Sequence, residues 1–202
     1  MAENLEALKH GPAESGVAEI ILKRWSPRSY ADKPVSSGDL TKIFTAAGWA
    51  ASSSNEQPWR FLVGRKGDAT YAKILDALVD FNKHWAAAAP VLILSVGKKI
   101  FTKNGQENAY HLHDTGAASA TMSLEATALG LHTHGMAGLD RDKARASFGI
   151  PEEFEVCAAW AVGYLGDPEA LPEPYKGMEM AARTRKPLAE FVFGAWGEAA
   201  VL

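Results

Sequence analysis

Pro90-Val91-Leu92-Ile93-Leu94-Ser95-Val96 is an almost uninterrupted apolar run of strand length. A half-exposed strand alternates apolar and polar residues, whereas a run apolar at successive positions is covered on both faces and belongs in the middle of a sheet. Val156–Tyr164 has the same character and reads as a second buried strand, and Trp59–Val63 reads as a strand. Between and around them lie helical patterns. Ala13–Arg24 carries Val17, Ile20, Ile21 and Arg24 at helical spacing and stops at Trp25-Ser26-Pro27. Ser36–Trp49 opens with Ser36 and Asp39 in a capping-box variant, then places Leu40, Ile43, Phe44 and Ala47 on one stripe. Lys66–Asp80 reads as a helix with Ile74, Leu75 and Leu78 on one face, and Glu107–Leu129 as a longer one ended by Gly130. Asp140 caps a short helix at Arg141–Phe148. Helices and strands mix without a βαβ rhythm, so the fold class is α+β. No G-x-G-x-x-G follows a strand, and a Rossmann site is not supported.

Bulk properties set outer limits. The 202 residues suit one domain, and 47% hydrophobic with 22% charged residues is an ordinary globular composition. A net charge of -3 supplies no excess of cations, so no nucleic-acid partner is expected and any anion site must be local. Cys157 is the only cysteine, which excludes an internal disulfide or a thiolate metal cage and fits a reducing, cytoplasmic setting. It lies inside an apolar run and reads as a small buried hydrophobe rather than a catalytic thiol. Met1–His10 lacks the apolar core of a signal peptide, and the runs Trp85–Val96 and Val156–Leu165 are too short for a bilayer, so no membrane association is expected. Residues 1–12 are expected to be flexible.

Two groups of cations stand out. Arg24-Trp25-Ser26-Pro27-Arg28 sets two guanidiniums and a hydroxyl just past a helix, and Arg183 and Arg185 alternate across Thr184 so that an extended backbone aims both one way. Guanidinium forks suit phosphate oxygens. Taken alone, such pairs are more often solvated surface charge. Ser52-Ser53-Ser54-Asn55-Glu56-Gln57 is a loop rich in hydroxyls and amides, fit for a polar heteroaromatic ring or simply for water. Glu107–Leu129 is crowded with Ala, Gly, Ser and Thr, as a tightly packed core helix or a dimer contact would be, and its composition does not separate the two. His111-x-His113-Asp114 and His132-x-His134 form no patterned ligand set, and no metal is expected. His134 is a candidate lining residue. Trp85 and Trp160, inside apolar runs, are expected in the core.

Five stretches in order resemble the nitroreductase family. Arg24-x-Ser26-x-Arg28 is similar to its N-terminal phosphate motif, and Ser52–Trp59 to its Ser-x-x-Asn-x-Gln-Pro-Trp signature. Phe81-Asn82 before Ala89-Pro90-Val91 resembles its Asn-containing segment. Gly130-Leu131-His132-Thr133 through Gly138-Leu139-Asp140 resembles its Gly-Leu-x-Thr…Gly-(Phe/Leu)-Asp stretch, and Arg183-x-Arg185-Lys186-Pro187-Leu188 its C-terminal basic motif. Each match is weak alone; together they span most of the chain.

The resemblance implies a mixed, mainly antiparallel sheet flanked by helices in a domain-swapped homodimer. It implies one domain over 1–202, with 189–202 exchanged between subunits, Phe191–Phe193 as the swapped strand and Trp196 as its anchor. Glu107–Leu129 then becomes an interface helix. Arg24, Ser26, Arg183 and Arg185 are implied to hold the phosphate of FMN, with Trp25 beside the ribityl chain and Arg28 at the N1/O2 edge of the ring. Asn82 is implied at the pyrimidine edge, Ala137 and Gly138 near N5, and Ser52, Ser53, Ser54, Asn55 and Gln57 at the flavin of the other subunit. The implied reaction is ping-pong hydride transfer from NADH or NADPH through flavin N5 to a nitroaromatic, quinone or similar small electron-poor acceptor, with no catalytic side chain. A dehydrogenase or reductive dehalogenase of one metabolite, or a flavin-sequestering protein without catalysis, are the alternatives. Two positions depart from the family pattern: Ala51 replaces a common Pro, and Ala137 an acidic residue or Gly. Lys98–Glu107, with Asn104-Gly105, is the candidate gating segment.

Overall fold

The computed structural model describes residues 2–201. Met1 and Leu202, the outermost residues of the two expected terminal segments, lie outside the described residues. In chain order the helices are α1 (Ala2–Lys9), α2 (Glu19–Lys23), α3 (Ser37–Gly48), α4 (Ala69–Ala77), α5 (Asp80–Ala86), α6 (His111–Ala128), α7 (Arg141–Phe148) and α8 (Tyr175–Met180). The strands are β1 (Trp59–Arg65), β2 (Val91–Lys98), β3 (His132–Met136), β4 (Phe154–Gly163), β5 (Phe193–Ala195) and β6 (Glu198–Ala199). Among the described residues, no helix is long and apolar enough to cross a membrane.

The main sheet has the order β1-β2-β4-β3, and all its pairings are antiparallel. The apolar run is therefore central, with Ile93 opposite Val63 on one side and Trp160 on the other. Its two faces feed two cores. Leu92, Leu94 and Val96 pack with Tyr71, Ile74, Trp85 and Ala144 beneath α4, α5 and α7. Val91 and Ile93 pack with Leu40, Ile43, Met122 and Ala126 beneath α3 and α6. Each fully buried side chain of this kind contributes roughly 1.5–3 kcal/mol. A strand with period-two side chains thus becomes apolar throughout because each face has its own helix layer. The α+β class is as expected.

Local chemistry decides where helices begin. Ser36 caps α3 by accepting from the Asp39 amide at 2.9 Å, and Asp140 caps α7 by accepting from Lys143 at 2.9 Å, both as expected. Ala13–Arg24 is not one helix: Gly16 takes a left-handed φ of 70°, leaving a turn at Ala13–Ser15 before α2. The pattern read over Lys66–Asp80 splits as well. Asp68 caps α4 through the Tyr71 amide at 2.7 Å, and extended backbone at Leu78 and Val79 separates it from α5. The Tyr71 hydroxyl lies 2.9 Å from the Ala89 carbonyl and ties α4 to the end of α5; burial pushes its pKa up to about 12.

Helix α6 starts at His111 rather than Glu107, and Gly130 ends it with a φ of 72°. Within the chain it is a core helix. Ser119 and Ser123, both buried, satisfy their hydroxyls on the carbonyls of Thr115 and Ser119 at 2.8 and 2.9 Å. Gly116 and Ala120 remain exposed on its other side. Trp85 is buried as expected, but Trp160 is only partly so and donates from its indole to Ser95 at 3.3 Å. Cys157 is likewise partly buried rather than enclosed; desolvation pushes its thiol up to about 11.

Both termini carry more structure than their residue pattern announces. At the N-terminal side, α1 seats Leu5 and Lys9 in the interior. Helix α8 has no counterpart among the expected elements. The terminal strand falls at Phe193–Ala195, not Phe191–Phe193, and pairs with β6 in a hairpin through Gly197. Phe191, Phe193 and Trp196 are exposed there, Trp196 at 95%.

Candidate functional site

Helix α2 ends at Lys23, and Arg24 leaves it in extended backbone with Pro27 three residues on. The chain then runs beside the tail that follows α8. The result is a cavity of about 260 Å³ lined by Lys9, Arg24, Trp25, Ser26, Arg28, Glu179, Arg183 and Arg185, among others. The two cation groups far apart in sequence are thus brought together. Arg24 lies 3.3 Å from the Ser26 hydroxyl. Burial and then the nearby Arg185 lower the Arg24 pKa, and burial, Arg185 and Arg24 lower that of Arg183. Among the described residues, none of Lys9, Arg24, Arg28, Arg183 and Arg185 forms an ion pair within the chain. Mutually repelling, partly desolvated cations without an ion pair among the described residues suit an anion from outside.

Glu179 is the one acid lining this cavity, and it is fully buried. It accepts from the backbone amides of Arg28 at 2.9 Å and Ser29 at 3.1 Å. Burial raises its carboxyl above the ordinary range, against the pull of those amides, Arg28 and Lys9. Its oxygens shape the Arg28 turn rather than neutralise the guanidiniums. Neither Glu179 nor Lys9 was expected at this site. Glu179 sits in a short Met-flanked helix and Lys9 in a polar N-terminal stretch, so no spacing distinguishes them from surface charges.

From this pocket the chain leads to a second group of expected residues. The Arg28 guanidinium lies 5.9 Å from the Trp85 ring, and its buried Nε has no hydrogen-bond partner. His134 on β3 packs on Trp85 at 4.4 Å and lies 2.9 Å from the Pro27 carbonyl through Nδ1. Burial drives its pKa down to about 4, so the ring is neutral and Nδ1 donates to that carbonyl. One turn before Trp85, Asn82 donates to the Gly138 carbonyl at 3.0 Å. A Cβ at Gly138 would lie 2.7 Å from the Asn82 amide nitrogen and 2.9 Å from Val79, so the close approach that demands glycine is that of α5. Ala137, beside it, is exposed.

The Ser52–Gln57 loop does not join this group within the chain. It lines a separate depression with Tyr110, His113 and Asp114. Ser54, Asn55 and Gln57 all adopt positive φ, at 52°, 53° and 53°. Non-glycine residues hold such angles only when surroundings over-determine them. Buried Asp114 accepts from the Ser53 amide at 2.9 Å, and the Ser52 hydroxyl accepts from the Gln57 amide at 3.0 Å. Lys98–Glu107, the candidate gate, is tied to the same loop by the Thr102 amide on Glu56 at 2.9 Å.

A larger cavity, about 640 Å³, lies on the other side of Trp25 between Glu6, His10, Lys23 and His132. It has mixed charge and no cation cluster, so the smaller pocket has the chemistry for an anion. His111 contacts Glu155 at 2.9 Å, and His132 is near Glu6 at 3.5 Å.

The model of the nitroreductase family matches residues 21–84 and 72–164. An uncharacterised 15.4 kDa protein of Mycolicibacterium smegmatis is 34% identical over 149 residues, covering 68% of this chain and 97% of its own. An NADH dehydrogenase of Thermus thermophilus is 28% identical over 173 residues, 71% of this chain and 83% of its own. Among solved structures, an oxidoreductase containing FMN superposes with a TM-score of 0.85 at 34% identity, covering 91% of this chain and 93% of its own. The match runs through the Arg24–Arg28 turn, the Ser52–Gln57 loop, Asn82 and Gly138, and on it this chain belongs to the nitroreductase family.

Proposed function

We propose that this chain is an FMN-dependent oxidoreductase that takes hydride from NADH or NADPH and delivers it to a flat, electron-poor acceptor such as a nitroaromatic or quinone. The observation that carries the reading is the pocket in which Arg24, Arg28, Arg183 and Arg185 converge without an ion pair among the described residues. A phosphate monoester is a compact dianion whose oxygens match guanidinium forks, each such bond being worth about 1.5–3 kcal/mol. The FMN-containing relative at 34% identity and the NADH dehydrogenase at 28% support cofactor and donor in turn.

In this reading Arg24, Ser26, Arg183 and Arg185 hold the phosphate, and Trp25 borders the sugar-alcohol chain. Arg28, with a free buried Nε, presents a permanent cation to the ring edge where negative charge develops. Asn82 faces the pyrimidine edge, and the Ala137-Gly138 backbone runs past the reactive centre. Bound FMN supplies the hydride-accepting and hydride-donating chemistry; the chain binds it, orients it and biases its charge. Ser52, Ser53, Ser54, Asn55 and Gln57 serve the flavin of a second subunit, which is why they stand apart from the cation pocket in one chain. The exposed Gly116 and Ala120 of α6 and the hairpin carrying Phe193 and Trp196 then meet the partner in a homodimer. A reducing cytoplasm suits the nicotinamide donor and the unpaired Cys157.

The test is the visible absorption spectrum of the purified protein, chromatography of its heat-released cofactor, and NADH or NADPH oxidation with a nitroaromatic. FMN near one per subunit with turnover is expected. A colourless protein that fails to take up FMN overturns the reading; bound FMN without turnover on either nicotinamide overturns the donor assignment alone.

A further inference from the structure

Lys9 lies outside the matched residues 21–84 and 72–164 and outside every motif that carries the family resemblance. It nevertheless lines the cation pocket, at 4% exposure. Lysine is seldom buried to that degree without a partner for its charge. Its ammonium sits 4.9 Å over the Trp25 ring and gives one hydrogen bond, to the Ala181 carbonyl. That leaves two N–H bonds without a protein acceptor among the described residues. Glu179 attracts the ammonium through space, but no ion pair joins the two among the described residues, and its oxygens accept from the backbone amides of Arg28 and Ser29. The ammonium is therefore desolvated, without a direct ion pair among the described residues and set among other cations, an arrangement that an arriving anion makes more favourable.

The placement is built rather than incidental. Arg183 donates to the Lys9 carbonyl and, at 2.7 Å, to the Leu22 carbonyl, so the last turn of α1 is held by the same residue that lines the pocket. Leu5, one turn earlier, is buried at 1% and anchors the helix.

We propose that Lys9 is an additional phosphate-binding residue of this pocket and that α1 is a strap that carries it over the site. The inference rests on the reading of the pocket as the seat of a phosphate monoester. The ligand group is that phosphate, supplied either by FMN or by free inorganic phosphate. Riboflavin, which has the same ring and side chain without the phosphate, separates contact with the anion from support of the fold.

The experiment is flavin-fluorescence titration of the full-length apoprotein with FMN and with riboflavin, for the parent, Lys9→Met, Lys9→Gln and Lys9→Arg. Lys9→Gln keeps a donor for Ala181 without the charge and covers the case in which Lys9→Met fails to fold. The expected result is FMN affinity at least about tenfold weaker in the two uncharged variants, riboflavin affinity unchanged, and recovery in Lys9→Arg. Inorganic phosphate is expected to compete with FMN in the parent and less in Lys9→Gln; competition with equal strength in both overturns the contact. Equal losses for FMN and riboflavin make α1 a structural prop, and no loss for either removes Lys9 from the site; both overturn the proposal. A parent that binds FMN no better than riboflavin overturns the phosphate reading of the whole pocket, and this proposal with it.

Discussion

Arg183 and Arg185 look equivalent on paper, two guanidiniums across one threonine, yet they do different things. Arg183 is half-buried and spends hydrogen bonds on the carbonyls of Lys9 and Leu22, whereas Arg185 is exposed and bonds only to its neighbour Thr184. Arg185→Ala is therefore the cleaner test of phosphate binding: FMN affinity should fall about tenfold to a hundredfold with the melting temperature of the apoprotein unchanged. Retention of full affinity in a calorimetric titration would remove Arg185 from the site. Arg183→Ala should lose both affinity and stability. His134 gives a pH prediction. Its folded pKa of about 4 lies below the unfolded value of 6.5, so unfolding takes up a proton in that window. Stability is fully present above pH 6.5 and declines as pH falls toward 4, by up to about 3 kcal/mol. Glu179, raised by burial, acts in the opposite sense and favours the fold in acid. Comparing urea midpoints of the parent and His134→Gln at pH 7.5 and 4.5 cancels that contribution; the variant should lose less on acidification, and an equal loss would refute the assignment. The Arg24–Arg28 and Arg183–Arg185 groups could be picked out in the sequence because they carry a few residue types in a fixed order. Glu179 and Lys9 were not legible, because the partners that seat them in the pocket are backbone atoms more than a hundred positions away.

At the scale of elements, the Ser52–Gln57 loop shows how a rigid helix imposes geometry on a segment with little regular structure. Asp114, buried at the start of α6, accepts from Ser53 and holds a loop with three positive-φ residues. Asp114→Ala should destabilise the fold by about 1–3 kcal/mol by orphaning that amide. It should also weaken FMN binding although no pocket residue is altered. Unchanged affinity in a folded variant would separate the loop from the flavin. Strands and caps could be read locally: β2 from its apolar run, α3 and α7 from Ser36 and Asp140. Breaks could not. Gly16 in a left-handed turn and extended backbone at Leu78–Val79 interrupt patterns whose helical periodicity is intact, because tertiary packing outweighs weak propensity over one or two residues.

The whole molecule leaves large apolar side chains uncovered. Trp49 is 85% exposed, Tyr110 59%, Phe191 57% and Trp196 95%, more than a soluble monomer ordinarily presents at so few positions. Sedimentation velocity should find a dimer at micromolar concentration, and removal of 189–202 should shift it toward monomer with loss of flavin. A flavin-loaded monomer of the full chain would contradict a shared site. The expected assembly came only from family resemblance, since a terminal hairpin with exposed aromatics has no partner to reveal within its own chain.

The cation pocket is closed by residues from both ends of the chain, Lys9 and Arg24 on one side and Arg183 and Arg185 on the other. The strands of the four-stranded sheet are complete in sequence at Gly163, twenty residues before the first of the late arginines that line the pocket. Arg183 then reaches back to the carbonyls of Lys9 and Leu22 and fastens the first helix. Completion of the sheet and completion of the pocket are therefore separate events, and a chain cut after Met180 would keep all four strands of the sheet and lack both Arg183 and Arg185.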